Sequence, residues 1–216
     1  MAIRKSKPTK LQQILEFPLV VLGGMIEGCQ FIARKLKNKP KSDPVADLAV
    51  RMFFSAQMGA DEIRKLAEDR TLQQPRYGLN DQEWLEIFNE FQNMYLHIVD
   101  GEAYARLGDA GRYKVATKLV MFSIDSAVEM LAPDLPREAR QATKKAWVEK
   151  VNAANHRYGL CKNILATSAG EPSDDAVFWR FGAAVAGIAG RPGNERYIEL
   201  CREHATNSCI TLLAKE

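Results

Sequence analysis

Apolar side chains recur at every third or fourth position through most of this chain, and this spacing is the feature that most limits how it can fold. The spacing matches the 3.6-residue turn of an α-helix, in which such positions form one stripe along the helix. The stripe is clearest at Trp84, Ile87, Phe88, Phe91, Met94, Tyr95 and Ile98. Alternating strand patterns are nearly absent. The sequence therefore predicts an all-α protein.

Caps and breakers divide the chain into seven predicted helices. The first runs from about Thr9 to Asn38. The second begins at Asp43 and Pro44, which have the pattern of an N-cap followed by proline at the first helical position. The third begins at Asn80 and Glu83, whose spacing is that of a capping box.

Glycine and proline delimit the remaining helices. Gly108 separates the third helix from the fourth, and the fifth extends from near Pro136 to about Leu165. A cap at 173–175 precedes the sixth helix, and Gly190–Gly193 forms the turn before the seventh. Because several loops are short, neighbouring helices should be antiparallel. We expect a bundle of about six or seven helices, with the apolar N-terminal helix docked on it or projecting from it.

The sixth helix is unusually rich in small residues. Between Phe181 and Gly190 it carries glycine or alanine at most positions, which predicts close backbone contact with another helix in the core or with another subunit. Arg180 lies between Trp179 and Phe181, so its guanidinium is a candidate for stacking on an aromatic ring or for contact with an acidic partner.

Residues 1–41 differ from residues 42–216, and we treat them as a separate unit that precedes a helical bundle domain. They contain nine basic and two acidic residues, a net charge of +7. Because the whole chain carries +3, the bundle domain carries −4. The basic excess therefore belongs to one end of the chain.

The N-terminal unit combines an apolar stretch over 17–33 with basic flanks on both sides. Three interpretations remain open: a helix packed on the bundle or a protein partner, a segment on an anionic membrane surface, and an arm on nucleic-acid backbone. Glu27 and Gln30 argue against a true membrane span. The candidate interaction residues, including a Gly24/Gly28 pair that permits close helix contact, are Leu22, Gly24, Gly28, Arg34, Lys35, Lys37, Lys39, Lys41 and Arg180.

Catalytic and metal motifs are not recognisable. None of the three histidines follows a glutamate by three residues, which excludes the usual di-iron site of helical bundles. Cys201 and His204 share a helix face and are a weak zinc candidate with a cysteine or histidine of another helix. His97 and Asp125 lie among apolar residues, where a functional role competes with simple pairing or exposure. We therefore expect no cofactor and no metal.

The favoured function is a non-catalytic interaction or assembly protein that binds a protein partner or itself, with the N-terminal unit as a further contact to a membrane surface. One alternative is a helical subunit of a nucleoprotein complex that uses the basic N-terminal region. The other is an enzyme or ligand binder with an inter-helix pocket. Four cysteines without a close pair favour a reduced, cytoplasmic protein, with the inner face of a membrane as the peripheral alternative.

Overall fold

The computed structural model describes residues 43–72, 76–131, 134–161 and 176–213, and these ranges contain five α-helices and no β-strand. In chain order the helices are α1 (Pro44–Glu68), α2 (Asp81–Leu131), α3 (Arg137–Gly159), α4 (Val177–Ile188) and α5 (Glu195–Leu213). The prediction of an all-α protein is confirmed. The predicted count of six or seven is not confirmed: the third and fourth predicted helices adjoin within α2 at a non-helical residue, Gly108, as predicted, and the first predicted helix lies outside the described residues.

Two of the predicted helix starts are confirmed in atomic detail. The Asp43 carboxylate accepts from the backbone N–H groups of Val45, at 3.2 Å, and Ala46, at 3.5 Å. At the start of α2 the Asn80 side chain accepts from the Glu83 N–H at 2.9 Å, and the Glu83 carboxylate accepts from the Asn80 N–H at 2.9 Å. This reciprocal pair satisfies N–H groups that the first helical turn leaves without an acceptor.

Two predicted boundaries are wrong. The fifth predicted helix does not continue to Leu165, because α3 ends at Gly159 and Cys161 is no longer helical. The α4 helix begins at Val177 with Ala176 as its N-cap, which makes no side-chain hydrogen bond, so the cap is not where the acidic residues at 173–175 suggested. The first error comes from helical periodicity that continues past Gly159, and the second from a cap signal that lies upstream of the N-cap Ala176.

The core lies around the first half of α2, and its helix stripe is buried as predicted. The α2 helix packs against α1, α3 and α4, while α5 packs against α4 and α1. Aromatic rings fill the contact: Trp84 stacks on Phe88 at a centroid distance of 5.7 Å, and Phe91 contacts Phe181 of α4 at 4.6 Å. The Trp84 indole N–H donates to the Asp61 carboxylate at 2.8 Å, so its polar edge is satisfied.

The predicted close approach of the glycine-rich helix is confirmed at Gly182. A Cβ atom at this position would lie 2.6 Å from the backbone oxygen of Ile198 on α5. Gly187, on the same helix, has nothing within 4 Å of its Cβ direction. Close packing of α4 on α5 therefore depends on Gly182, and the other small residues do not all share this role.

A buried arginine joins the turn after α4 to the end of α1. Arg191 is 2% exposed, and its guanidinium donates to the backbone oxygens of Ala189 at 2.7 Å, Arg76 at 2.8 Å and Ala67 at 3.3 Å. The same group lies 4.7 Å from the ring centroid of Tyr197. Carbonyl oxygens and an aromatic face thus stabilise this buried cation.

Candidate interaction groove

The second half of α2 changes direction at Gly108, where the backbone has φ 65° and ψ −175°. This conformation is available essentially to glycine alone. The break lies in a stretch, residues 101–110, that is exposed at every position except Ala103. The helix therefore extends beyond the core here and returns toward the bundle through residues 109–131.

An ion pair spans the break and fixes the angle between the two halves of α2. Arg112 donates through Nε and Nη2 to the two carboxylate oxygens of Asp100, at 2.8 and 2.7 Å. The hydrogen bonds and the charge of Asp100 raise the pKa of Arg112, and the guanidinium also lies 5.6 Å from the Tyr104 ring centroid. A bidentate pair restricts orientation as well as distance, so it stabilises one bend of the helix.

A groove of about 680 Å³ lies between the second half of α2 and α3. We call it the α2–α3 groove and define it by its apolar lining, which is Leu96, Tyr113, Ala116, Leu119, Val120, Met121 and Val148. Its polar lining includes Thr117, Asn152 and Asn155, together with the paired Asp100 and Arg112. The groove is thus a mainly apolar surface with polar groups at its edges.

The groove is the uncovered end of a helix stripe. Ile124, Ala127 and Val128 continue the stripe of Tyr113 and Val120 along α2, and all three are buried. Toward Gly108 the same face opens to solvent: Tyr113 is 74% exposed and Met121 is 49% exposed. Large apolar side chains in a concave surface are typical of a binding site.

A second polar cluster joins the first half of α2 to α3. The Glu90 carboxylate is buried and accepts from Arg157 of α3, at 2.5 and 2.7 Å, and from the hydroxyl of Tyr158. Burial, together with the Glu90 carboxylate, raises the pKa of Tyr158 well above its ordinary value. Because each group of the cluster has its partner inside the protein, we interpret it as a structural link between α2 and α3.

His97 lies near this cluster, with its ring centroid 5.7 Å from that of Tyr158. Burial is the main reason that the pKa of His97 is lowered from 6.5; Asp100 opposes this shift and Arg112 reinforces it. The unfolded chain therefore binds a proton at this site more readily than the folded chain, so the free energy of unfolding should decrease as the pH falls through 6.5.

His97→Gln should weaken this part of the pH dependence. Urea unfolding of the wild type and of His97→Gln from about pH 7.5 to about pH 5.5 measures it, because acidic groups that titrate in both proteins cancel in the difference. His156→Gln, at an exposed position of α3, is the matched control and should follow the wild type. An equal change in the free energy of unfolding with pH for wild type and His97→Gln would show that His97 does not contribute to the pH dependence.

The two cysteines of α5 are buried, and burial raises the pKa of both thiols, that of Cys209 to about 11. Because the thiolate is the reactive form, a maleimide should modify Cys201 and Cys209 of the native protein far more slowly than the half-buried Cys161. Peptide mass spectrometry after timed labelling measures the rates. Fast labelling of Cys201 without unfolding would show that α5 is not packed as described.

Eight of the nine predicted interaction residues belong to the N-terminal unit. Leu22, Gly24, Gly28, Arg34, Lys35, Lys37, Lys39 and Lys41 lie outside the described residues, as does the whole predicted first helix. Arg180 is half-buried on α4 between the buried Trp179 and Phe181, remote in sequence from the groove. Asp125 forms an ion pair with Lys144 of α3 at 2.5 Å, the simpler of its two predicted roles.

Neither a metal-ligand cluster nor a membrane-spanning helix occurs among the described residues. Within 43–72, 76–131, 134–161 and 176–213, histidine, cysteine, aspartate and glutamate form no group of three that could hold a metal ion. Cys201 and His204 therefore have no further ligands in this part of the chain. Among the same residues, no helix combines the length and apolar character that crossing a membrane requires.

Comparison with known proteins adds no relative. No family model matches the chain, and neither the curated proteins nor the solved structures give a match.

Sequence analysis assigned Tyr113, Ala116 and Val120 to a helix stripe but did not identify them as a binding surface. An apolar stripe predicts burial without indicating what covers it. Gly108 was the only local signal, since a glycine inside a helical pattern marks a position where the chain can turn away from the core.

Proposed function

We propose that the protein is a non-catalytic helical interaction protein whose α2–α3 groove binds an amphipathic helix of a partner protein. The observation that supports this most strongly is the stripe on α2, which is buried at Ile124 and Val128 and open at Tyr113 and Met121. A helix with apolar side chains at every third or fourth position would continue the packing that α3 provides further along.

The residues that line the α2–α3 groove favour binding of a protein helix over catalysis. Its arginine is paired with Asp100 in a bidentate ion pair, and its lining residues include no histidine and no cysteine. Nucleic-acid backbone would require unpaired basic groups in the same place, and the groove supplies Arg112 only in paired form. Large apolar side chains with a polar edge fit a helix of a protein better than either alternative.

The proposal is tested by placing a photo-crosslinking amino acid at Thr117, an exposed lining residue, in the full-length protein in cells. The expected product joins Thr117 to a protein segment that has the periodicity of an amphipathic helix. The same crosslinker at Met58, which is 69% exposed on α1, should not give this product. Products with lipid alone or with nucleic acid alone would contradict the proposal and favour a membrane or nucleoprotein role.

Affinity then decides whether the crosslinked segment binds the groove. A synthetic peptide of that segment should bind the purified protein, and Met121→Glu should weaken binding at least about tenfold, because it introduces a charge into an apolar contact. Met58→Glu is the matched control and should leave affinity unchanged. Equal affinity for wild type and Met121→Glu would exclude the groove as the binding site.

A further inference from the structure

We propose that the partner helix bound in the α2–α3 groove is acidic, with aspartate or glutamate beside its apolar stripe, and that Lys114 of α2 and Lys145 of α3 pair with these carboxylates. This inference rests on the proposed function, because it names the chemistry of the partner for the same groove. Apolar contacts alone accept any helix with a matching stripe, so the two lysines would supply specificity.

The α3 wall of the groove is basic. Residues 137–159 contain six basic and two acidic residues, a net charge of +4, which makes α3 the most basic of the described helices. Residues 109–131, the α2 wall, contain three basic and three acidic residues and are neutral. The bundle domain as a whole carries −4. Positive potential is therefore concentrated beside the groove of an otherwise acidic domain, where it attracts a negatively charged partner.

Two lysines near the groove are available for a partner. Lys118 and Lys144 already form ion pairs with carboxylates of the bundle. Lys114 and Lys145 are exposed, and within the part of the chain that the structure describes neither forms a hydrogen bond or an ion pair. Glu149 lies one turn beyond Lys145 on α3 but does not pair with it there. Both ammonium groups can thus pair with the carboxylates of a bound helix.

These two lysines border the lining, one on each wall. Lys145 lies three residues before the lining residue Val148 on α3, and Lys114 lies three residues before the lining residue Thr117 on α2. Residues three apart are neighbours on a helix surface. A helix whose apolar stripe fills the groove therefore meets a lysine at each edge of that stripe.

The carboxylates of the lining lie at the end of the groove where α2 bends. Asp100 raises the pKa of Arg112 through hydrogen bonds and charge, and Asp109 adds to this shift. Lys145 is remote from them, because its neighbour Lys144 contacts α2 about four turns beyond Asp109. We therefore expect acidic side chains of the partner beside Lys145 and none at the bend.

The surface between the lysines favours a protein helix over nucleic acid. Tyr113, Val120 and Met121 present apolar side chains there. Phosphate groups would lose hydration on such a surface without gaining hydrogen bonds from it. A helix with an apolar stripe and acidic edges covers these side chains and reaches both lysines at the same time.

The inference is tested with two synthetic helical peptides that share one stripe of leucine at every third or fourth position. One peptide carries glutamate at the positions beside the stripe, and the other carries lysine. Purified full-length protein should bind the glutamate peptide at least about fivefold more tightly, because its two lysines attract one peptide and repel the other. Raising the salt concentration from about 0.05 M to about 0.5 M should reduce this ratio of affinities.

Charge reversal identifies the residues responsible. Lys145→Glu should lower the ratio, and the double variant Lys114→Glu/Lys145→Glu should bring it to about one or below. Lys150→Glu is the matched control, because Lys150 is exposed on α3 but lies two residues after Val148, on the opposite face of the helix. It should keep nearly the wild-type ratio.

Several results would overturn the inference. These are equal affinities of wild type for the two peptides, no detectable binding of the glutamate peptide, and an equal loss in Lys150→Glu and Lys145→Glu. Binding of single-stranded RNA or DNA that is lost in the double variant would overturn it as well and assign the lysines to nucleic acid.

The two proposals fail in different ways. Met121→Asn, which changes no charge, should weaken binding of both peptides and leave their ratio unchanged, because it removes an apolar contact from the groove. If it weakens both peptides but wild type binds them equally well, the groove binds a helix and only the acidic character of the partner is wrong. If it weakens neither, the peptides bind outside the groove, and the proposed function is wrong together with the inference.

Discussion

Replacing Arg191 with methionine should lower the free energy of unfolding by about 1–3 kcal/mol, which is the scale for leaving a buried carbonyl without its donor. The guanidinium donates to three backbone oxygens, and methionine removes the donor of the Arg76 carbonyl, whereas the Ala67 carbonyl keeps the Gly78 N–H at 2.9 Å. Most of the expected loss therefore comes from the Arg76 carbonyl. Loss of the contact with the Tyr197 ring adds to this.

Urea unfolding followed by circular dichroism measures the effect of Arg191→Met. Arg196→Met is the matched control: Arg196 is exposed on α5, and its replacement should change stability by less than about 0.5 kcal/mol. The stability of Arg191→Lys should lie between those of Arg191→Met and Arg196→Met, because an ammonium keeps the charge but cannot donate to several carbonyls in the planar arrangement of a guanidinium. Stability within about 0.5 kcal/mol of wild type for Arg191→Met would show that this contact between α1 and the turn after α4 is not formed.

Gly182→Ala should destabilise the protein by about 1–3 kcal/mol, because the new methyl group overpacks a contact between two helices. The atom it meets is the backbone oxygen of Ile198, which cannot move away without displacing α5. Relief therefore requires α4 and α5 to separate. This would also loosen Phe181, which packs against Phe91 in the core.

The matched control is Gly187→Ala on the same helix. Nothing lies within 4 Å of its Cβ direction, and alanine is the better helix former by about 0.5–1 kcal/mol, so this variant should equal or exceed wild type in stability. Thermal and urea unfolding of the two variants give the comparison directly. If both substitutions had the same effect, the close approach of α4 to α5 would be wrong.

Local sequence signals predicted the helices well where the deciding interactions are themselves local. The Asp43 cap, the Asn80–Glu83 capping box and the turn from Gly190 to Gly193 depend on residues a few positions apart, and all are present. The stripe from Trp84 to Ile98 was buried as predicted, because its periodicity is strong over four turns. The end at Gly159 carries no such signal and was misplaced, and the cap signal at 173–175 lies before the actual start of α4 at Val177.

The groove could not be predicted in the same way, because it depends on contacts between residues far apart in the chain. Tyr113 and Ile124 belong to one stripe by spacing, yet only Ile124 is covered by another helix. The pairing of Asp100 with Arg112 depends on the break at Gly108, and that of Asp43 with Lys118 joins residues of α1 and α2. Sequence periodicity identifies apolar faces, and tertiary structure decides which of them is left uncovered.

Methionine oxidation tests most directly whether a helix covers the groove. Met121 is 49% exposed in the described structure and Met58 is 69% exposed, so the two should oxidise at similar rates if the groove is empty. In hydrogen peroxide, with the partner peptide bound, we predict that Met121 oxidises severalfold more slowly than Met58 and that the two rates become comparable when the peptide is left out. Equal protection of Met58 and Met121, or no protection of Met121 by the bound peptide, would contradict binding of a helix in the α2–α3 groove.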